Sequence, residues 1–256
     1  VKKGKQAARI PGVPVDEPYL SDLVVERTII EPDWAGQVAV IMASGPSLCA
    51  EDIAKVRRSG ARTIVCNRTW EMAPWADIHY ATDRHFWIDT VSGQEARKPR
   101  PGRSFMLSQS DQAALTDPSV HWIEPSRLKP GPGLQGKDLN CGFDDRPWRL
   151  RPGKNSGYAI THIAMHKFPD MIVLLGFDMK KGPYGEDYYQ GHDGHRLATN
   201  PDRRAAITRD PTLRMWGQQM AFLAEAMTWW GTPIVNASRD TSIECFPRVA
   251  LEEVLP

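Results

Sequence analysis

The sequence predicts an α/β domain built on a mostly parallel sheet, with helices on both faces and a lid formed by long loops. Three observations predict it. Short apolar β-forming runs alternate with segments of helical period along most of the chain. The first such run, Val38–Met42, ends abruptly in Ser44-Gly45-Pro46-Ser47, and a helical pattern follows from Ala50. Each of the first three strands closes on polar residues, and the ends of parallel strands share one edge of a sheet, the edge where ligands sit in open α/β folds. Ser44, Asn67, Asp83 and, from a later strand, Asp178 are therefore expected to line one cleft.

The elements follow in order. Residues 1–34 are polar and spotted with proline and read as an arm; 35–256 read as a single domain. Strand Val38–Met42 leads to helix Ala50–Ser59, strand Thr63–Cys66, a short helix near Trp70–Trp75, and strand Ile78–Ala81. Ser104–Leu107 and Val120–Ile123 read as two further strands. Residues 125–153, punctuated by proline and glycine, break the rhythm and read as an irregular lid insertion. A helix over Ser156–Lys167 follows, capped by Asn155 or Ser156. Met171–Leu175, the most apolar strand, ends in Gly176-Phe177-Asp178, and 179–210 form a second irregular lid segment. Leu213–Trp230 reads as one long amphipathic helix, Pro233–Asn236 as the last strand, and the tail as ending in a short helix.

Composition bounds the function. With 256 residues, 41% of them apolar, the chain can bury a real core, and a net charge of +1 gives no global pull towards nucleic acid or membrane. No apolar run approaches a membrane span, and no secretory leader is read in the basic start Val1-Lys2-Lys3-Gly4-Lys5. Cys49, Cys66, Cys141 and Cys245 are widely spaced, which suits reduced thiols and a cytoplasmic location rather than a zinc site. The tryptophans group as Trp70, Trp75, Trp87 and as Trp216, Trp229, Trp230, for packing or as a stacking platform. Basic clusters at Arg97–Arg103 and Arg146–Lys154 read as solvated loops, or as contacts for an anionic acceptor such as DNA.

The candidate nucleotide-binding residues are Ser44, Gly45, Pro46, Ser47, Asn67, Arg68, Asp83, Asn155, Ser156, Gly157 and Asp178. The turn at Ser44–Ser47 is neither G-x-G-x-x-G nor G-x-x-x-x-G-K-[ST], so neither the dinucleotide nor the Walker mechanism follows from it. Asn155-Ser156-Gly157 opens a helix whose free N–H groups favour phosphate, with glycine allowing close approach. A β-branched residue at Gly45 is expected to abolish binding without unfolding the chain. The densest chemistry is Tyr184–His195. There Tyr188 and Tyr189 are candidates to steady a departing phosphate, and His192, with His195 as fallback, is the candidate general base. Gly191 and Gly194 argue against a helical His-x-x-His metal pair, so no metal site is assigned.

Gly45-Pro46-Ser47-Leu48, Cys66-Asn67-Arg68, Asn155-Ser156-Gly157, Leu175-Gly176-Phe177-Asp178 and then Gly191-His192 stand in the order that resembles bacterial CMP-sialic-acid-dependent sialyltransferases, which have one Rossmann-like domain and a lid. The chain is also similar to a broader uncharacterised group that includes 6-hydroxymethylpterin pyrophosphokinases, a group that its tail, Val235–Ser238 through Phe246–Arg248, looks like. The resemblance covers roughly residues 38–250. It implies a glycosyltransferase that moves a sugar from a nucleotide-sugar donor to an acceptor hydroxyl of a glycan, with no cofactor; the arginine-rich loops and the cytoplasmic reading make a hydroxymethylated base in DNA the alternative acceptor. His192 would be the base, and Ser44–Ser47, Asn67 and Asn155–Gly157 would hold the nucleotide. Two other readings stand beside it. One is a Mg-dependent diphosphotransferase using Asp83 and Asp178; the other is a non-catalytic nucleotide-binding module.

Overall fold

The computed structural model describes residues 28–82, 86–87, 103–107, 120–126, 140–184, 188 and 210–255. They form an eight-stranded sheet in the order β6-β5-β4-β3-β2-β1-β7-β8, with every pair of neighbours parallel. The strands are β1 (Val38–Met42), β2 (Arg62–Cys66), β3 (Ile78–Ala81), β4 (Arg103–Leu107), β5 (Val120–Pro125), β6 (Arg149–Leu150), β7 (Met171–Leu175) and β8 (Ile234–Asn236). The helices are α1 (Ala50–Ser59), α2 (Ser156–His166), α3 (Asp210–Gln219), α4 (Ala221–Trp230) and α5 (Leu251–Val254), with a 3₁₀ turn at Asn67–Glu71.

Alternation within each strand sends side chains to two cores. Ala39, Ile41, Ile64 and Leu174 pack with Ile160 and Ile163 of α2 and Leu223 of α4. Val40, Met42, Val65 and Leu175 pack with Ile53 and Val56 of α1, with Trp70 and Trp87, and with Leu251 of α5. Helices thus cover both faces, and the sheet is Rossmann-like in its all-parallel, doubly covered form. Helix α1 is written for its place. Glu51 and Asp52 stand in its first turn, Arg57 and Arg58 in its last, and Gly60 ends it at φ +69°.

Three departures from the sequence reading have physical causes. The insertion read over 125–153 is a lid at most in part, because 140–153 belong to the body. Arg149–Leu150 pair with Glu124–Pro125 as the sheet edge, and the Tyr158 hydroxyl of α2 accepts from the Gly142 N–H at 2.6 Å and lies 3.0 Å from its carbonyl oxygen. The three arginines of the basic run in that segment are engaged internally. Arg146 pairs with Asp144, Arg149 with Glu124, and Arg151 donates to the Cys141 carbonyl. The long helix read over Leu213–Trp230 is two, broken at Met220, whose N–H reaches back three residues to the Gly217 carbonyl.

The tryptophans Trp70 and Trp87 are core residues that flank the buried His79 ring at 6.1 and 5.0 Å, and Trp87 Nε1 donates to the Ala81 carbonyl. All four cysteines are free thiols, and among the described residues no helix is long and apolar enough to cross a membrane.

Candidate functional site

The chain visits β1 to β6 outward in one direction, then returns to lay β7 against the other side of β1. The order reverses between β1 and β7, and the crevice at their carboxyl ends is the place such folds offer a ligand. A short joint ties the two strand ends together there. The Gly45 N–H donates to the Gly176 carbonyl at 2.9 Å. Ser47 donates twice to the Asp178 carboxylate, from its backbone N–H at 2.6 Å and its hydroxyl at 2.7 Å.

Next to the joint, hydroxyl and amide side chains from successive strand ends meet. Ser44 Oγ lies 2.8 Å from Thr69 Oγ1 in the 3₁₀ turn after β2. Ser156, the first residue of α2, donates to Asn67 Oδ1 at 3.2 Å, and its hydroxyl lies 3.5 Å from that of Thr82 after β3. Asn67 holds φ +48°, a left-handed conformation that asparagine tolerates better than most residues. His79 Nε2 lies 2.9 Å from its carbonyl oxygen and therefore carries the ring proton. Asn155 caps α2 by accepting from the Tyr158 N–H at 2.8 Å. The N–H groups of Ser156 and Gly157, in the first helical turn, have no intrahelical acceptor and leave the positive end of the helix at this edge.

Several predicted residues meet here, with roles the sequence did not foresee. A Cβ on Gly45 would stand 2.5 Å from the Gly176 carbonyl oxygen and 2.6 Å from the Asp178 carboxyl group, so glycine is required by the joint itself. A Cβ on Gly157 would stand 3.0 Å from the Phe177 ring; this glycine fits helix to loop, and the close approach is to protein. Arg68 is buried and ion-paired with Glu71 of its own turn. Pro46 is half-buried in the turn. Tyr188 is half-buried, while Tyr189, His192, His195 and Asp83 lie outside the described residues. Thr69 and Thr82 are site residues missed by sequence reasoning. So are Ser238, whose hydroxyl accepts from the Phe177 N–H, and Thr241, which donates to the Phe177 carbonyl. Each lies within a few residues of a strand's end, and that position was the available signal.

The joint is electrostatically tuned. Burial pushes the Asp178 carboxyl up to about 6, against the two Ser47 hydrogen bonds that favour its ionised form. Both its oxygens already accept from Ser47, and among the described residues no three His, Cys, Asp or Glu side chains group to hold a metal ion. A folded pKa raised above the unfolded value of about 4 means that ionised Asp178 costs stability at neutral pH. Asp178→Asn is expected to raise unfolding free energy at pH 7 by about 1–3 kcal/mol. The amide can still accept from the Ser47 N–H while donating to Ser47 Oγ. Urea unfolding at pH 7 checks this, and a net loss of stability would refute it.

No protein family model matches the chain, and no curated protein does. Among solved structures it is similar to that of the MAf glycosyltransferase from Magnetospirillum magneticum AMB-1, at 14% identity and a TM-score of 0.40 over 85% of this chain. The chain spans about a third of that protein's length (34%).

Proposed function

We propose that the chain binds a nucleotide sugar in the β1/β7 crevice and transfers the sugar to an acceptor hydroxyl. The observation that carries the reading is the belt of Ser44, Thr69, Asn67, Thr82 and Ser156 along the carboxyl edge, beside the first turn of α2. Main-chain N–H groups and hydroxyls of this kind suit a phosphate and a ribose. The resemblance in motif order adds the sugar. In the reaction, the acceptor oxygen forms a bond to the anomeric carbon as the bond from that carbon to the phosphate oxygen breaks. The electron pair leaves with the nucleotide, and the acceptor's proton passes to a base, assigned to His192 with His195 as fallback. Tyr188 and Tyr189 are the proposed hydrogen-bond donors to the departing phosphate. A glycan hydroxyl is the acceptor favoured by the resemblance. The engagement of Arg146, Arg149 and Arg151 within the fold removes part of the support for DNA.

A panel of CMP-, UDP- and GDP-sugars and ATP, read by ligand-induced stabilisation, tests the site: a cognate donor at 100 times its Kd should add about 2.7 kcal/mol. His192→Ala is expected to lower kcat by about 10²–10⁴ with donor binding nearly intact. Turnover that is lost on chelation and restored by Mg²⁺ would select the diphosphotransferase reading. Nucleotide binding without any turnover would select the non-catalytic one.

A further inference from the structure

A cavity opens on the same edge. It encloses about 850 Å³ between the residues after β7, one face of α3 with the start of α4, and the loop after β8. Asp210, Leu213, Arg214, Gly217, Gln218 and Ala221 line it at intervals of three and four, so a single helical face is turned to it. Gly217 sets α3 against the strand-end loops at ordinary contact distance. A Cβ on Gly217 would lie 3.5 Å from Met179 Cβ and 3.7 Å from Ser242 Oγ. The volume is in the range of small-molecule sites. Met179 joins it directly to Asp178, and Ser242 also bonds the Asp178 carbonyl through its N–H at 2.8 Å. A molecule seated here would therefore lie beside whatever occupies the β1/β7 crevice.

The lining specifies chemistry. Lys180 is drawn off by Asp240 at 2.5 Å, a residue that does not line the cavity. The Arg214 guanidinium has no hydrogen bond or ion pair among the described residues. Lys181 adds a second cation, Asp210 and Glu244 two carboxylates and Gln218 an amide, while the Ser242 hydroxyl, which donates to the Asp178 and Met179 carbonyls, can still accept. An unpaired guanidinium in a cavity matches a phosphate or carboxylate, and the amide and carboxylates match hydroxyl groups.

We propose that this cavity is the acceptor subsite of the transferase, taking a small hydroxylated molecule that carries one anionic group, with Arg214 holding the anion. The inference rests on the transferase reading and adds the acceptor's class and place to it.

The test titrates the full chain with ribose 5-phosphate, gluconate and ribose, followed by NMR on the amides of Met179–Lys181, Arg214–Gln218 and Ser242–Cys245. One or both anions should bind at these amides, and ribose should not. Arg214→Glu should weaken the anion about tenfold or more. Ala221→Trp fills the cavity from an exposed position without changing its charge, and should weaken the anion similarly. Donor stabilisation should be unchanged in both variants. Absence of binding at these amides, or binding indifferent to Arg214→Glu and Ala221→Trp, overturns the proposal even where a nucleotide sugar binds. If no nucleotide sugar binds but the anion binds through Arg214, the transferase reading fails while the cavity keeps its ligand class.

Discussion

Gly45→Val is expected to destabilise the fold by about 3 kcal/mol or more, and Gly45→Ala by nearly as much. The added Cβ meets a backbone carbonyl and a fixed carboxyl group at 2.5 and 2.6 Å, and neither is the far end of a flexible side chain. To make room, β1 and β7 must part at the Gly45–Gly176 bond, and Asp178 must leave the two Ser47 donors that hold it. A buried carboxylate without donors costs more than the lost contact. The sequence reading placed the damage in ligand binding with the fold intact. The structure moves it to the joint that builds the crevice, so binding is lost because the site no longer forms. Denaturant unfolding in the absence of ligand decides between them. A lowered midpoint with unchanged m-value supports the joint; wild-type stability with lost nucleotide affinity restores the earlier reading.

What was legible in the sequence were features written locally. A strand buried on both faces is a continuous apolar run, and a polar residue ending it marks the carboxyl edge; β1, β2, β3 and β7 were found this way, and with them Ser44, Asn67 and Asp178. The partners of those residues were less legible, because each contact joins distant parts of the chain: Ser47 to Asp178 spans 131 residues, and Asn67 to Ser156 spans 89. Strand β6 was hidden because two residues in a stretch of prolines and glycines carry no period. It forms because Tyr158 and the surface of α2 give residues 140–153 something to pack on. The break at Met220 has no proline or glycine at its position; it lies three residues past Gly217, whose carbonyl accepts the Met220 N–H. Helix α2 was read in place, but not that Gly157–His166 are all buried, polar residues included.

Those buried polar residues set the second large effect, a loss of stability in mild acid. His162 and His166 stack at 5.2 Å beneath Phe143 and Trp230, almost wholly out of solvent. Burial, with the neighbouring His166 ring adding to it, pushes His162 down to about 3; burial likewise pushes His166 down to about 4. Both rings are neutral in the folded chain, while in the unfolded chain they take protons near pH 6.5. Below that pH the unfolded state binds up to two more protons than the folded state, so stability falls as pH falls. Asp178 works the other way between about pH 6 and 4, because there the folded state holds its proton and the unfolded state does not. Two groups outweigh one, and the net loss from pH 6.5 to 4 is about 4 kcal/mol. Asp144, held below the usual carboxylate range by Arg146 and Ser126 against its own burial, adds to the loss below about pH 4. Against a total stability of about 5–15 kcal/mol, that brings acid unfolding within reach of ordinary assay buffers. Urea unfolding at pH 7, 6, 5 and 4 should trace the decline. His166→Leu, which removes a ring whose Nε2 has no partner among the described residues, should lower the slope by about one proton. A stability that stays flat from pH 7 to 5 would refute the assignment. The same measurement guards the mechanism. A rate that rises through pH 6.5 belongs to His192 as base only after correction for the folded fraction, since the α2 histidines take up protons in the unfolded chain over the same interval.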